Sequence, residues 1–482
     1  MRNLRVVVLV VILSSTLVGS SLAQTNPVNR YFDQTGCTVQ GQFLVYWEEH
    51  GGLAQFGYPL TNQFYDPPRL FSNDLPLVQY FERARFEYHP ENQPPNDVLL
   101  TLLGSQLYKE KYPFGASNQQ PNNNNPYFFA QTGKSLGGKL RTYWESHGGL
   151  AAQGYPISNE FQEVAVDGKS YTVQYFERAV FEYHPENVST AYEVLLAPLG
   201  VARYHQLLAT TNFYALDVGK DGIAWAGGEC GVLLQHNNDR WTVTSNFQGV
   251  SAIKSVSLSG NNGVRVLDGA IFYRINGGWS RESQYGGITA FQMKDDGSGW
   301  AGSSTEPSLF MRFEQDNWGF TNFRSESWLQ SIDMLSPQEG WAITNSGTFH
   351  HYTKGSWIVA QRAKVTSAYL SQVSMVSVND GWVAAGGKDK LYHYDGTSWR
   401  PVATPIDQPL SSIHMIDSSD GWSVGAKGTI LHYDGTSWQQ QPSPTNKDLN
   451  AVKMVSANEG WAVGDAGTML HYWDGVWSLY SF

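Results

Sequence analysis

The chain has 482 residues, of which 16% are charged and 14% are Phe, Trp or Tyr, with 48 glycines and a formal charge of −11 at pH 7. This length suggests about three domains. Few charges, many aromatics and many glycines point to a β-rich fold with tight turns rather than a helical bundle. The acidic balance argues against nucleic acid and anionic lipid as partners, because an acidic surface repels phosphate.

The first residues read as an export signal. Arg2 and Arg5 precede an apolar run, Val6 to Leu13, and Ser21-Leu22-Ala23 has the small-x-small form of a cleavage site. A retained N-terminal anchor is the alternative, although the apolar run is short for a span. Cleavage after residue 23 removes two arginines and leaves −11 − 2 = −13. The expected mature chain (secreted, periplasmic or at the cell surface) has no membrane insertion. Export permits a disulfide between Cys37 and Cys230, with two unpaired thiols as the alternative.

Residues 31–205 hold one module twice. Tyr46 to Pro59 and Tyr143 to Pro156 match at eleven of fourteen positions, and Val78 to Asn92 and Val173 to Asn187 at fourteen of fifteen. The spacing in the first module predicts a short helix over Phe43 to His50, ended by Gly51 and Gly52. Val78 to Tyr88 alternates as a strand or hairpin, stopped at His89-Pro90. The modules, 31–112 and 127–205, are therefore expected to be small α+β units. Between them, residues 113–126 (PFGASNQQPNNNNP) lack hydrophobic periodicity and read as a flexible linker, with an ordered loop as the alternative.

Trp47, Glu48, His50, Glu82, Arg83 and His89, echoed by Trp144, Glu145, His147, Glu177, Arg178 and His184, are the candidate ligand-binding residues. Aromatic faces stack on sugar rings, and carboxylates with Arg hold hydroxyls. The competing reading gives Trp to the core and pairs Glu82 with Arg83 locally. Their spacing does not suit a metal site. The pieces GGLAQFGYP with QYFERARFEYHP, and GGLAAQGYP with QYFERAVFEYHP, resemble LGFP-type repeats, with Phe56 and Gln153 departing from the usual Leu. That resemblance implies a cell-envelope or surface-glycan role.

From residue 206 to 482 the chain repeats about every 40 residues. The last tryptophan of each unit falls at Trp241, Trp279, Trp318, Trp357, Trp399, Trp438 and Trp477. A second marker, usually Gly-Trp, falls at Trp225, Trp300, Trp341, Trp382, Trp422 and Trp461, with Gly263-Val264 in its place in one unit. In the last unit, Leu449 to Val455, Gly460 to Val463, Thr468 to Tyr472 and Trp477 to Tyr480 read as four strands. Asp474-Gly475 supplies a hairpin turn. The predicted architecture is a seven-bladed β-propeller with the trailing tryptophans packed between blades; a solenoid would need capped ends. No strand is expected to be borrowed from the far terminus.

The units GWAVGDAGTMLHYWDGVW and GWSVGAKGTILHYDGTSW resemble the propeller repeats of the photosystem II stability and assembly factor family and of BNR/Asp-box proteins. A sialidase-type propeller would need inner-strand arginines and an Arg-Ile-Pro signature, to which Arg274-Ile275-Asn276 comes nearest. Neither a nucleophile elbow, a phosphate loop nor an HExxH motif is present. The expected function is non-enzymatic, with no catalytic residue, cofactor or metal. The modules would hold envelope glycan while the propeller presents a face to another surface protein. An assembly factor for an exported or membrane complex is the alternative, and a glycosidase a weaker one.

Overall fold

The computed structural model describes residues 29–481 apart from 66–75, 165–167, 220, 230, 238–239, 246–251, 261–262, 268, 276–277, 283–285, 305–307, 315 and 363–368. Residues 1–28, which hold the expected export signal, and Cys230 lie outside the described residues. Cys37 is a buried free thiol, and its burial pushes its pKa up to about 12. No helix among the described residues is long and apolar enough to cross a membrane.

The first module carries helices α1 (Gly41–Glu49), α2 (Gly52–Phe56) and α3 (Leu103–Lys111); the second carries α4 (Gly138–Ser146), α5 (Gly149–Gln153) and α6 (Leu199–Thr210). Each has a four-stranded antiparallel sheet and a two-stranded hairpin. Gly51, at φ 101°, ends α1 in the left-handed region, and Gly148 repeats this at φ 84°. Val78 to Tyr88 is a hairpin, Leu77–Tyr80 with Arg85–Tyr88.

The modules exchange their last helices. Leu103 of α3 packs with Tyr171, Val173 and Tyr175 of the second module. Tyr204 and Leu208 of α6 pack on Phe64, Val78 and Tyr80 of the first. Two glycines permit this closeness: a Cβ at Gly104 would overlap the Phe176 carbonyl oxygen, and one at Gly200 that of Phe81. The Ser105 N–H donates to Glu177 O at 3.0 Å and the Val201 N–H to Glu82 O at 3.1 Å. Units cut at 112 and 127 thus divide a pair that shares its cores.

The 113–126 segment, expected as a flexible linker, is tied down along its length. The Gln120 N–H donates to Glu160 O at 2.7 Å, Asn122 Nδ2 to Glu160 Oε1 at 2.8 Å, and the Gly138 N–H to Asn124 O at 2.7 Å. Its amide side chains satisfy backbone groups that periodicity cannot reveal. The boundary at 205/206 also moves, since α6 runs on to Thr210.

Among the described residues seven four-stranded antiparallel sheets follow, each built of consecutive strands, an arrangement consistent with a β-propeller. Their first strands are Phe213–Val218, Ser255–Ser259, Ile288–Met293, Leu329–Ser336, Leu370–Ser377, Leu410–Met415 and Leu449–Ser456. These define units 1 to 7. The trailing tryptophan of one unit meets the Gly-Trp tryptophan of the unit before it: Trp399 with Trp341, Trp438 with Trp382 and Trp477 with Trp422, at 5.3–5.5 Å and edge-on. Trp241 of unit 1 meets Trp461 of unit 7 in the same way, at 5.2 Å. Among the described residues the first and seventh units therefore meet by the contact that joins their neighbours, and each sheet is built of its own consecutive strands.

The Gly of Gly-Trp has a packing cause. At Gly299, Gly340, Gly381, Gly421 and Gly460 a Cβ would overlap the sulfur of Met293, Met334, Met375, Met415 and Met454 respectively. The first module's sheet and the second module's α6 cover the closing seam, where Phe64, Tyr80, Tyr204 and Leu208 share one core with Phe213, Trp241, Trp461 and Met469. Asn450 Nδ2 donates to Phe213 O at 2.9 Å across the same seam.

Candidate functional site

The seven first strands line a central channel of about 290 Å³. One polar residue stands at the same register on the first strand of every unit: Asp217, Ser257, Gln292, Asp333, Ser374, His414 and Lys453, five of which, all but Asp333 and Ser374, line the channel. Six of them form a belt. Each accepts the backbone N–H that follows the belt position in the next unit: Asp217 from Leu258, Ser257 from Met293, Gln292 from Met334, Asp333 from Met375, Ser374 from Met415 and His414 from Met454, at 2.6–3.1 Å. Lys453 has no acceptor atom to continue the series. Its ammonium instead pairs with Asp217 of unit 1 at 3.2 Å, so an ion pair completes the circle.

The belt sets its own electrostatics. Asp217 holds the Lys453 ammonium above its usual pKa despite burial. Burial raises the Asp333 carboxyl, although the Met375 N–H, Gln292 and two lysines act against it. Burial, with Lys453 nearby, lowers His414 well below the ordinary imidazole value. The belt is thus a cross-unit clasp that also places charges in the channel. None of the eight arginines of the repeats lies on a first strand: Arg240, Arg281, Arg324, Arg362 and Arg400 are on fourth strands, Arg265 on a second, and Arg274 and Arg312 on third strands.

A larger groove, about 600 Å³, opens from the belt between units 1 and 2. Trp225, Ile223 and Val264 form apolar wall, Arg274 reaches in from unit 2, and Asp217 and Lys453 stand at its inner end. Burial lowers the Arg274 pKa.

In the modules, the candidate residues divide into staples and rim. Trp47 is buried and its indole N–H donates to Gly57 O at 3.2 Å; half-buried Trp144 donates to Gly154 O at 3.3 Å. Glu82 accepts the Tyr58 N–H at 3.2 Å and Glu177 the Tyr155 N–H at 3.1 Å. Arg83 donates to Leu53 O at 3.1 Å and Arg178 to Leu150 O at 3.3 Å. Glu82 and Arg83 are neighbours that bond to different backbone groups. With Trp47 they fasten the Gly57 turn, and the second module repeats the arrangement.

His50 stacks on Tyr46 at 4.0 Å and His147 on Tyr143 at 3.8 Å. Glu48 and Glu145 are exposed and pair with Arg30 and Arg141. His89 lies apart, between Glu87 and Glu91; burial acts to lower its pKa, but the two carboxylates outweigh it. His184 sits between Glu182 and Glu186. Of the trailing tryptophans, Trp241, Trp318, Trp357, Trp399, Trp438 and Trp477 are buried and Trp279 is half-buried.

The belt residues and Arg274 were not among the candidates. Alignment of the seven units column by column would have exposed the belt, because each member directly precedes the residue whose N–H completes the previous seam.

The family described as photosynthesis system II assembly factor YCF48 matches residues 391–479, the last two strands of the fifth unit and the sixth and seventh units. No curated protein matches. Among solved structures, virginiamycin B lyase from Staphylococcus aureus is similar at 11% identity and TM-score 0.50, covering 56% of this chain and 96% of its own. YCF48 from Cyanidioschyzon merolae is 18% identical at TM-score 0.44, covering 55% of this chain and 96% of its own. A structure of YCF48 bound to D1 peptide is 17% identical at TM-score 0.46, covering 55% of this chain and 92% of its own. At these identities the lyase likeness bears on the fold alone.

Proposed function

We propose that this chain is an exported, non-enzymatic protein-binding platform of the assembly-factor kind, in which a seven-bladed propeller carries the partner. The observation that carries this reading is the match of residues 391–479 to the assembly-factor family. The channel and groove beside it supply polar and charged groups to a partner. The two modules brace the ring at its closing seam, where α6 joins both cores. In-cell cross-linking of the mature chain in its own host tests the proposal. Expected are recurrent cross-links from ring residues to one exported or membrane protein; cross-links confined to the chain itself count against it.

The second reading gives the modules an envelope-glycan role, as LGFP-like repeats. Tyr31 and Phe128, both exposed and both immediately before a buried Phe in their hairpins, favour it as repeated stacking faces. Buried Trp47 and half-buried Trp144, with their indole N–H groups engaged, contribute little stacking surface to it.

A further inference from the structure

The seam between units 1 and 2 breaks the ring's pattern. In each unit one residue on the third strand pairs across to the trailing tryptophan. It is His236, Phe313, Tyr352, Tyr394, Tyr433 or Tyr472 in six units and Arg274 in unit 2. Where the previous unit has its Gly-Trp tryptophan, the aromatic ring packs on it, as Tyr472 does on Trp422 at 4.6 Å and His236 on Trp461 at 4.7 Å. Arg274 takes that place on Trp225, with its guanidinium carbon 5.3 Å from the ring centroid.

Among the described residues Arg274 meets Trp225 but no hydrogen-bond acceptor and no carboxylate. Four other arginines of the repeats have carboxylate partners, among them Arg265, which grips Glu282 through two nitrogens at 2.8–3.0 Å, and Arg362, which meets Glu326 at 2.8 Å. A guanidinium carries five donors in a planar fork suited to a carboxylate. The groove around it has room, about 600 Å³. The register corrects the expectation of Gly263-Val264 at the unit 2 marker: Arg265 holds the tryptophan position, pairing with Ser257 as Trp225 does with Asp217.

We propose that the groove between units 1 and 2 is the docking site for a peptide segment of the partner, whose acidic side chain seats on Arg274. This rests on the platform reading above and names its contact. Apolar wall from Trp225, Ile223 and Val264 suits residues flanking the acid. A sugar fits less well, since Arg274 already covers the Trp225 face on which it would stack. The chain's overall charge of −11 offers an acid no long-range attraction, so its recognition has to be local. Of the groove's carboxylates, Asp217 is paired with Lys453 at 3.2 Å, while Asp221 and Asp295 are exposed at the rim and disfavour acids placed away from Arg274. They set the register of a segment with a single acidic residue.

The test is fluorescence anisotropy of the full mature chain with two pools of labelled, C-terminally amidated octapeptides. Apolar positions are randomised identically in both, and the fixed central residue is Glu in one and Gln in the other. The Glu pool is expected to bind about tenfold to a hundredfold more tightly, as for a charged hydrogen-bonded pair. Arg274→Gln should abolish the preference and Arg274→Lys should keep part of it, with melting temperature checking that each variant folds. Equal affinity for both pools, unchanged by Arg274→Gln, overturns the site and leaves a peptide-binding platform standing. Binding of neither pool also overturns the site, and the platform is then decided by its cross-linking test.

Discussion

Lys453→Met tests the ring's clasp at its one ionic link. The pair spans 3.2 Å, with side chains 32% and 17% exposed. At an effective dielectric constant of about 20 the attraction is about 5 kcal/mol before desolvation. Burying both charges offsets much of this, which leaves a net coupling of about 1–3 kcal/mol, between exposed and buried pairs. Melting should fall by about 3–10 °C. A double-mutant cycle with Asp217→Asn, read by denaturant unfolding, isolates the pair from the other bonds Asp217 makes. The pH dependence has a defined sign: Asp217 raises the Lys453 pKa above 10.5, so the contribution is fully present below that value and is lost as pH rises through the folded-state pKa. Additivity within about 0.5 kcal/mol would refute the clasp.

Other predictions follow from burial and close packing. His350 is 1% exposed, and burial lowers its pKa to about 4 from 6.5; stability should fall by roughly 3 kcal/mol between about pH 6.5 and 4, and His350→Gln should flatten that part of the unfolding curve. The Asp333 carboxyl is raised by burial, so its ionised form weakens the fold at neutral pH. Stability should therefore fall as pH rises out of the carboxylate range, and Asp333→Asn, which keeps one acceptor oxygen but opposes its amide N–H to one of the two donors, should remove that pH dependence without stabilising, read by denaturant unfolding. Gly200→Ala should cost about 1–3 kcal/mol and loosen α6 by hydrogen exchange, because its Cβ would overlap the Phe81 carbonyl oxygen. Gly286→Ala, with open space around it and no positive φ, is the matched control and should be near neutral.

Local patterns were legible wherever a turn residue or period was specific. The strands of the last unit lie within one or two residues of their predicted ends, and the Asp474-Gly475 turn has both residues at positive φ, 46° and 89°. The tryptophan markers revealed the repeating units, and their packing explains the spacing. The helix exchange was not legible, since the amphipathic patterns of α3 and α6 reveal an apolar face but not which sheet covers it. Nor was the belt: Asp, Ser, Gln, His and Lys share no composition, only a place in the register. In the modules, repetition singled out Trp47, Glu82 and Arg83 and their counterparts, and the structure gives these residues the work of fastening a turn.

Retention of the full mature chain on its host's envelopes, before and after protease strips them to protein-free glycan, tests the platform most directly. A protein-binding platform is retained on intact envelopes and lost from the stripped glycan. Equal retention by both would contradict the account and give the anchoring role to the modules.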